Sequence, residues 1–282
     1  MNYKDPSRTI EERVEDLLSR MTLEEKVAQC TQIYIPPDHR EEILQRIRSF
    51  GLGSRILSAI PLAGSASQRT AGIADLNEVQ RIAVEESRLG IPVLNGMDVI
   101  HGLKTVFPIP LGMASAFDPS SVEEAFAIAA LETSRMGIQW SFAPMMDIAR
   151  DPRWGRIIEG FGEDPYLGGK LASAAVTGMQ GKPDERGYFP SDHILACAKH
   201  YMGYGAAEGG RDYNTSEISD HTLRNIYLPP FKAAVEAGAG TVMSAFEDLN
   251  GEPATGSYYL LTEILKEELG FEGFVISDWA SV

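Results

Sequence analysis

Cysteine is nearly absent: Cys30 and Cys197 are the only two in 282 residues. Each lies in an apolar stretch without a neighbour at metal-ligand spacing, so both read as buried thiols and neither a disulfide framework nor a zinc site is implied. Long apolar runs are lacking too, and none approaches the roughly 18 residues that a membrane helix needs. The opening MNYKDPSRTIEERVEDLLSRM is charged from the outset and holds no apolar core of a signal peptide. The chain therefore reads as soluble and cytoplasmic, or as periplasmic or secreted where a leader has been trimmed. Excess positive charge is also missing: 25 Lys and Arg face 40 Asp and Glu, a net charge of −15. Nucleic-acid phosphates need clustered cations, so that partner is excluded, and solubility is the simplest use of the acidity. Neither a low-complexity segment nor a tandem repeat is visible.

What is present is an alternation of helical patterns and short apolar runs. Ile10, Val14, Leu17, Leu18 and Met21 recur at helical spacing. Thr22 followed by Glu25 is a capping-box signature for a second helix, LEEKVAQC. ADLNEVQRIAVEESRLG and PSSVEEAFAIAALETSRMG are closed by Gly90 and Gly137, where a helix end favours glycine. YLGGKLASAAVTGMQG, DHTLRNIYLPPFKAAVEAGAG (interrupted by Pro229 and Pro230) and GSYYLLTEILKEELG continue the series. Between them lie SRILSAI, IPVLNGMD, IQWSFAPMMD, ILACAKHY, GTVMSAF and GFVISDW. Nearly continuous apolar runs of this kind suit parallel strands covered on both faces. The expected class is α/β, either a barrel or an open doubly wound sheet, and the absence of a Gly-rich phosphate fingerprint after the first strand disfavours the latter.

The ends of those runs carry polar residues: Asp98, Asp147, Lys199 with His200, and Asp278. In a barrel such tips converge on the face that holds the chemistry. Asp98, in NGMDVIHG, suits two sugar hydroxyls or a helix cap. The loop ARDPRWGRIIEGFGEDPYLGG carries Arg150, Arg153 and Arg156 among acids around Trp154. Most of these charges read as mutual ion pairs, with one arginine reaching the site by its planar fork of donors. Asp278 at a strand tip reads as nucleophile, base, ligand or cap, and Trp279 beside it offers a flat face for a sugar ring.

Taken in order, LLSRMTLEEKVAQ, GMDVIHG, TVFPIPLGMASAFD, APMMDIARDPRWGRIIEGFGEDPYL, KHYMGYGAAEGGRDYN, MSAFEDLNGEPATGS and GFVISDW resemble glycoside hydrolase family 3, the β-glucosidase and β-xylosidase family. The resemblance spans nearly the whole chain and is closest to the periplasmic-type β-glucosidase branch. It implies a TIM-like (β/α) barrel over residues 1–282, incomplete at its C-terminus, with a following α/β sandwich domain outside the chain. It implies a retaining exo-β-glucosidase without metal or organic cofactor, acting on terminal β-D-glucosyl residues of short oligosaccharides or glycosides. Asp278 would be the nucleophile. Asp98, Arg156, Lys199 and His200 would bind hydroxyls of the −1 sugar, and Trp279 would line the +1 subsite. Phe246 stands where many members have tyrosine, removing a hydroxyl that could reach the nucleophile. The second histidine of the N-acetylglucosaminidase loop is absent from KHYMGYGAAEGG, which argues against that activity.

A retaining mechanism needs two carboxyl groups about 5–5.5 Å apart. Asp278 supplies one, expected to stay ionised beside Arg156 and Lys199, and the acid/base is expected from the following domain. The six readable strands fall short of a closed barrel, so the chain alone is expected to be marginally stable and nearly inactive. β-Xylosidase and a non-catalytic, sugar-binding or truncated product remain the alternatives, and a second copy of the chain is an open partner besides the glycoside.

Overall fold

The structure, a computed structural model, describes the backbone of residues 2–57 and 66–282 and the side chains of 2–57 and 72–282. Its strands are β1 (Gln32–Ile33), β2 (Ser54–Ile56), β3 (Leu94–Met97), β4 (Trp140–Ser141), β5 (Cys197–Tyr201), β6 (Thr241–Ser244), β7 (Asp248–Leu249), β8 (Glu252–Pro253) and β9 (Phe274–Ile276). Each of the six apolar runs read as a strand contains one, although 58–60 of SRILSAI lie outside the described residues. β1 and the antiparallel pair β7–β8 are additional. Two residues per strand are too few for any periodicity to register in a sequence.

The chain divides into two compact units. The first comprises Met1–Met97, Arg135–Trp140 and Pro183–Phe189. Its strands run in the order β1-β2-β3, paired in parallel. Leu44, Ile47, Leu52, Val79, Ile82, Ala83 and Val93 form its apolar core. The capping box of Thr22 and Glu25 is present, and Thr9 with Glu12 makes a second one at the start of helix Ile10–Arg20. Gly90 and Gly137 both take positive φ, at 66° and 78°, the conformation that a side chain disfavours after a helix. Cys30 departs from expectation: it is exposed, because it sits on the C-cap of Leu23–Gln29 rather than within the apolar stripe.

The second unit comprises Asp98–Ser134, Ser141–Lys182 and Pro190–Val282. Its parallel sheet has the order β5-β6-β9. All five residues of β5 and all four of β6 are buried, which explains their unbroken apolar character. The proline-interrupted pattern resolves into Asp220–Thr222, a wider π-type turn Leu223–Tyr227, and helix Leu228–Glu236. Pro229 and Pro230 fall in the first turn of that helix, where a missing N–H costs little.

Helix Pro165–Gln180 approaches its neighbours through glycine. A Cβ placed on Gly169 would lie 3.4 Å from the Cβ of Ala233. One placed on Gly178 would lie 2.3 Å from the backbone oxygen of Glu123, closer than any contact between unbonded carbon and oxygen tolerates. Alanine would gain roughly 1 kcal/mol of helix propensity there, but overpacking of this kind costs about 1–3 kcal/mol, and the obstacle is backbone, which cannot rotate aside. Gly178→Ala is therefore expected to lower the thermal unfolding midpoint despite its better intrinsic helicity.

Candidate active site

Asp98, Asp147, Arg156, Lys199, His200, Phe246, Asp278 and Trp279 all belong to the second unit. Asp278 lies two residues past the end of β9, and Lys199 and His200 lie on β5. The pairing register of β5 against β6 shifts between Ala198 and Tyr201. An irregularity of this kind re-aims side chains that would otherwise alternate. Both Lys199 and His200 are buried, yet each reaches an acid at the strand tips.

Lys199 Nζ donates to Asp98 Oδ1 at 2.7 Å, and the Asp98 side chain is 54% exposed while that of Lys199 is 5% exposed. His200 is gripped twice by Asp147. Its backbone N–H and its Nδ1 each lie 2.9 Å from Asp147 Oδ2. Its other ring nitrogen, Nε2, stands 3.2 Å from Asp278 Oδ2. No directed hydrogen bond joins those two atoms, and Asp278 Oδ2 is buried without a hydrogen-bond partner among the described residues. The remaining oxygen, Oδ1, accepts the Trp279 backbone N–H at 2.6 Å.

Of the three arginines in the loop, Arg156 is the one that turns inward. It forks onto Glu159 through Nε and Nη2 at 2.8 and 2.9 Å and lies over the Tyr204 ring, 5.5 Å from its centroid. Arg153 is exposed and pairs with Asp151, the mutual ion pair expected of this loop. Trp154 is buried rather than central to a surface charge cluster, and its Nε1 donates to Asp212 Oδ1, which also accepts the Tyr204 hydroxyl. Those bonds join the DPRWGR string to the GGRDYN loop.

Aromatic rings wall the histidine. Tyr204 meets His200 edge-on at 5.1 Å, and Phe246 lies 6.0 Å from His200 and 5.5 Å from Tyr204. Phe246 has no hydroxyl to offer to the carboxylates beside it. Trp279 is 66% exposed. Sequence reasoning missed Tyr204, Asp212, Glu159 as the partner of Arg156, and above all Glu247. The side chain of Glu247 is buried, with both carboxyl oxygens lacking a hydrogen-bond partner among the described residues. Its signal was an acid directly after an apolar strand, the same cue that singled out Asp98 and Asp278.

Burial decides the ionisation of these groups. It pushes Asp278 up to about 6, against the Trp279 N–H, Lys199 and Arg156, which all favour the charged form. Lys199 and Arg156 favour the charged form as expected, but desolvation outweighs them in the direction of the shift. At pH 7 a carboxyl with that pKa is still roughly nine-tenths ionised. Burial also raises Asp147 to about 7 and moves Glu247 well above the usual glutamate range, with Asp147, Asp248 and Asp278 adding repulsion to the latter. His200 moves the other way: burial, Lys199 and Arg156 hold it well below the ordinary 6.5. Burial works against the charge of Arg156 too, but the fork to Glu159 prevails and its pKa rises.

Comparison with known proteins follows from this arrangement. The model of the glycosyl hydrolase family 3 N terminal domain matches residues 22–282. The chain is 39% identical to the periplasmic beta-glucosidase of Salmonella typhimurium over 95% of its own length and 33% of that protein. It is 36% identical to a putative beta-xylosidase of Formosa agariphila, over 98% of this chain and 38% of the relative. The crystal structure of a beta-glucosidase from Listeria innocua in complex with glucose superposes with a TM-score of 0.84 at 37% identity, covering 96% of this chain and 38% of that one. That likeness confirms the α/β, TIM-barrel-like class. The chain spans about a third of the length of the curated relatives it matches.

A raised carboxyl pKa destabilises the fold as pH increases, because the unfolded chain ionises first. For Glu247 the loss begins near 4.5 and continues upward to its elevated folded value; for Asp278 it runs from about 4 to about 6, and for Asp147 to about 7. His200 acts in the opposite sense, since a depressed histidine favours the fold as pH rises toward 6.5. Glu247→Gln removes one of the three destabilising contributions. Thermal unfolding across pH 4–8 is expected to show a shallower decline of the midpoint above pH 4.5 in this variant than in the parent.

Proposed function

Because this chain belongs to glycosyl hydrolase family 3, we propose that it carries the nucleophile and the sugar-binding side chains of a retaining, exo-acting β-glucosidase. The observation that carries this reading is Asp278: a largely covered carboxylate just past the end of a parallel strand, its Oδ2 buried 3.2 Å from His200 and in the field of Lys199 and Arg156. A nucleophile must be ionised yet poorly solvated, and a carboxylate with a pKa near 6 satisfies both at neutral pH.

Asp278 attacks the anomeric carbon and forms a glycosyl ester; a second carboxyl protonates the departing oxygen and then activates water. That acid/base is assigned outside residues 1–282, in the part of the longer relatives that this chain does not span. Asp98 and Lys199 form an acceptor–donor pair, with the acid exposed and the ammonium buried behind it, suited to adjacent sugar hydroxyls. Arg156, with two donor positions held by Glu159, offers its remaining N–H groups. Trp279 presents a ring to the second sugar or aglycone. The relative named a putative beta-xylosidase favours a second reading, in which the pocket takes a pentose without the C6 hydroxymethyl group.

Asp278→Asn is expected to reduce hydrolysis of a nitrophenyl β-glucoside by at least about 10³-fold while leaving the unfolding midpoint equal or higher at pH 7. Trapping with a 2-fluoroglucoside should label the peptide that contains Asp278; a label elsewhere would refute the assignment. Comparing kcat/KM for nitrophenyl glucoside and xyloside decides between the two sugars.

A further inference from the structure

We infer that Asp147 is a positioning residue that sets the tautomer of His200 and, through it, the proton affinity of Asp278. The inference rests on the reading of Asp278 as nucleophile. It starts from one oxygen: Asp147 Oδ2 lies 2.9 Å from both the backbone nitrogen and the ring Nδ1 of His200. The backbone N–H can only donate, so that oxygen is already an acceptor, and an ionised Asp147 draws the ring proton to Nδ1 as well.

The consequence falls on the far side of the ring. With Nδ1 protonated, a neutral His200 presents a bare lone pair at Nε2, facing Asp278 Oδ2 at 3.2 Å. Two lone pairs at that separation repel, and the repulsion raises the affinity of the pair for one further proton. Below the apparent pKa of the pair that proton sits on Nε2 facing a carboxylate, or on Asp278 facing a neutral ring; above it both atoms are bare and Asp278 is ionised. Asp147, His200 and Asp278 therefore titrate as an array, whose apparent pKa values belong to the three together. The charge on Asp147 makes the imidazole more basic and strengthens the array's hold on a proton.

The other charges around the ring are Lys199 beside it on β5, Arg156 and Glu159 from the long loop, and Asp98 after β3. Glu247, after β6, faces the two carboxyl groups of the array. Lys199 is bonded to Asp98 and Arg156 to Glu159. Among the described residues Asp147 alone holds the His200 side chain through a hydrogen bond, which is why its removal acts on the ring rather than on the field in general.

Histidine ¹⁵N spectroscopy on the chain, with the His200 signals assigned by their loss in His200→Gln, tests this directly. The parent is expected to show the Nδ1–H tautomer above pH 8, where Asp147 is ionised, and Asp147→Ala to show Nε2–H or a mixture. In a form that turns over a nitrophenyl β-glucoside, Asp147→Asn should lower kcat by on the order of 10- to 100-fold, as when an outer carboxylate that orients an imidazole is lost. Its acid limb in kcat/KM should move to lower pH, because the array loses its proton more easily. A side chain that merely supports packing would reduce activity without moving that limb. A parent ring in the Nε2–H tautomer, or an acid limb unmoved in Asp147→Asn, overturns the inference. The parent tautomer decides the matter even where a variant does not fold. Failure of the glucosidase reading appears separately, as a parent enzyme without turnover.

Discussion

Two carboxyl groups flank one buried imidazole and a third faces them, while the cations beside them are each engaged by another acid. Asp147 and Glu247 are buried and Asp278 is largely covered, whereas Lys199 is engaged by Asp98 and Arg156 by Glu159. Ion pairs in a low-dielectric setting compensate for desolvation only when each charge has its own partner. Here the acids outnumber the partners, so the shortfall is met by protons. That shortage raises the carboxyl pKa values, depresses that of the histidine, and couples their titrations.

The scaffold makes this arrangement persist. β5 and β6 are fully buried, so their tips cannot drift toward solvent. The loop after β5 packs tightly: a Cβ on Gly205 would lie 2.3 Å from the backbone oxygen of Ile148, next to the residue that grips His200. Trp154 and Tyr204 close the arrangement from the other side through their shared acceptor, Asp212. Apolar packing and backbone proximity hold the acids where electrostatics would separate them. Such conflict between local stability and arrangement is expected at functional sites.

Most of the fold was legible because buried parallel strands and amphipathic helices leave opposite signatures in composition and spacing. The exceptions were β1, β7 and β8, each of two residues, and the π-type turns at Leu223–Tyr227 and Tyr259–Glu268, which share the apolar spacing of an ordinary helix. Cys30 was misread because an apolar neighbourhood in sequence does not distinguish a helix interior from its cap. In the site, strand-tip acids gave Asp98, Asp147 and Asp278, and the family resemblance supplied the role proposed for each neighbour. The resemblance offered no cue to Glu247, and Asp212 reaches Trp154 across 58 positions, a contact that spacing cannot reveal. The sign of the Asp278 shift was likewise out of reach, because burial sets it against the neighbouring cations.

Trp279 lies two-thirds in water beside a carboxylate that lies mostly out of it. Its indole therefore carries a hydration layer that any flat, carbon-rich face must displace before settling on it. Releasing that layer lowers the heat capacity of the complex, and the association becomes more exothermic as temperature rises. Warming would thus change the thermal signature of binding at this ring far more than its strength.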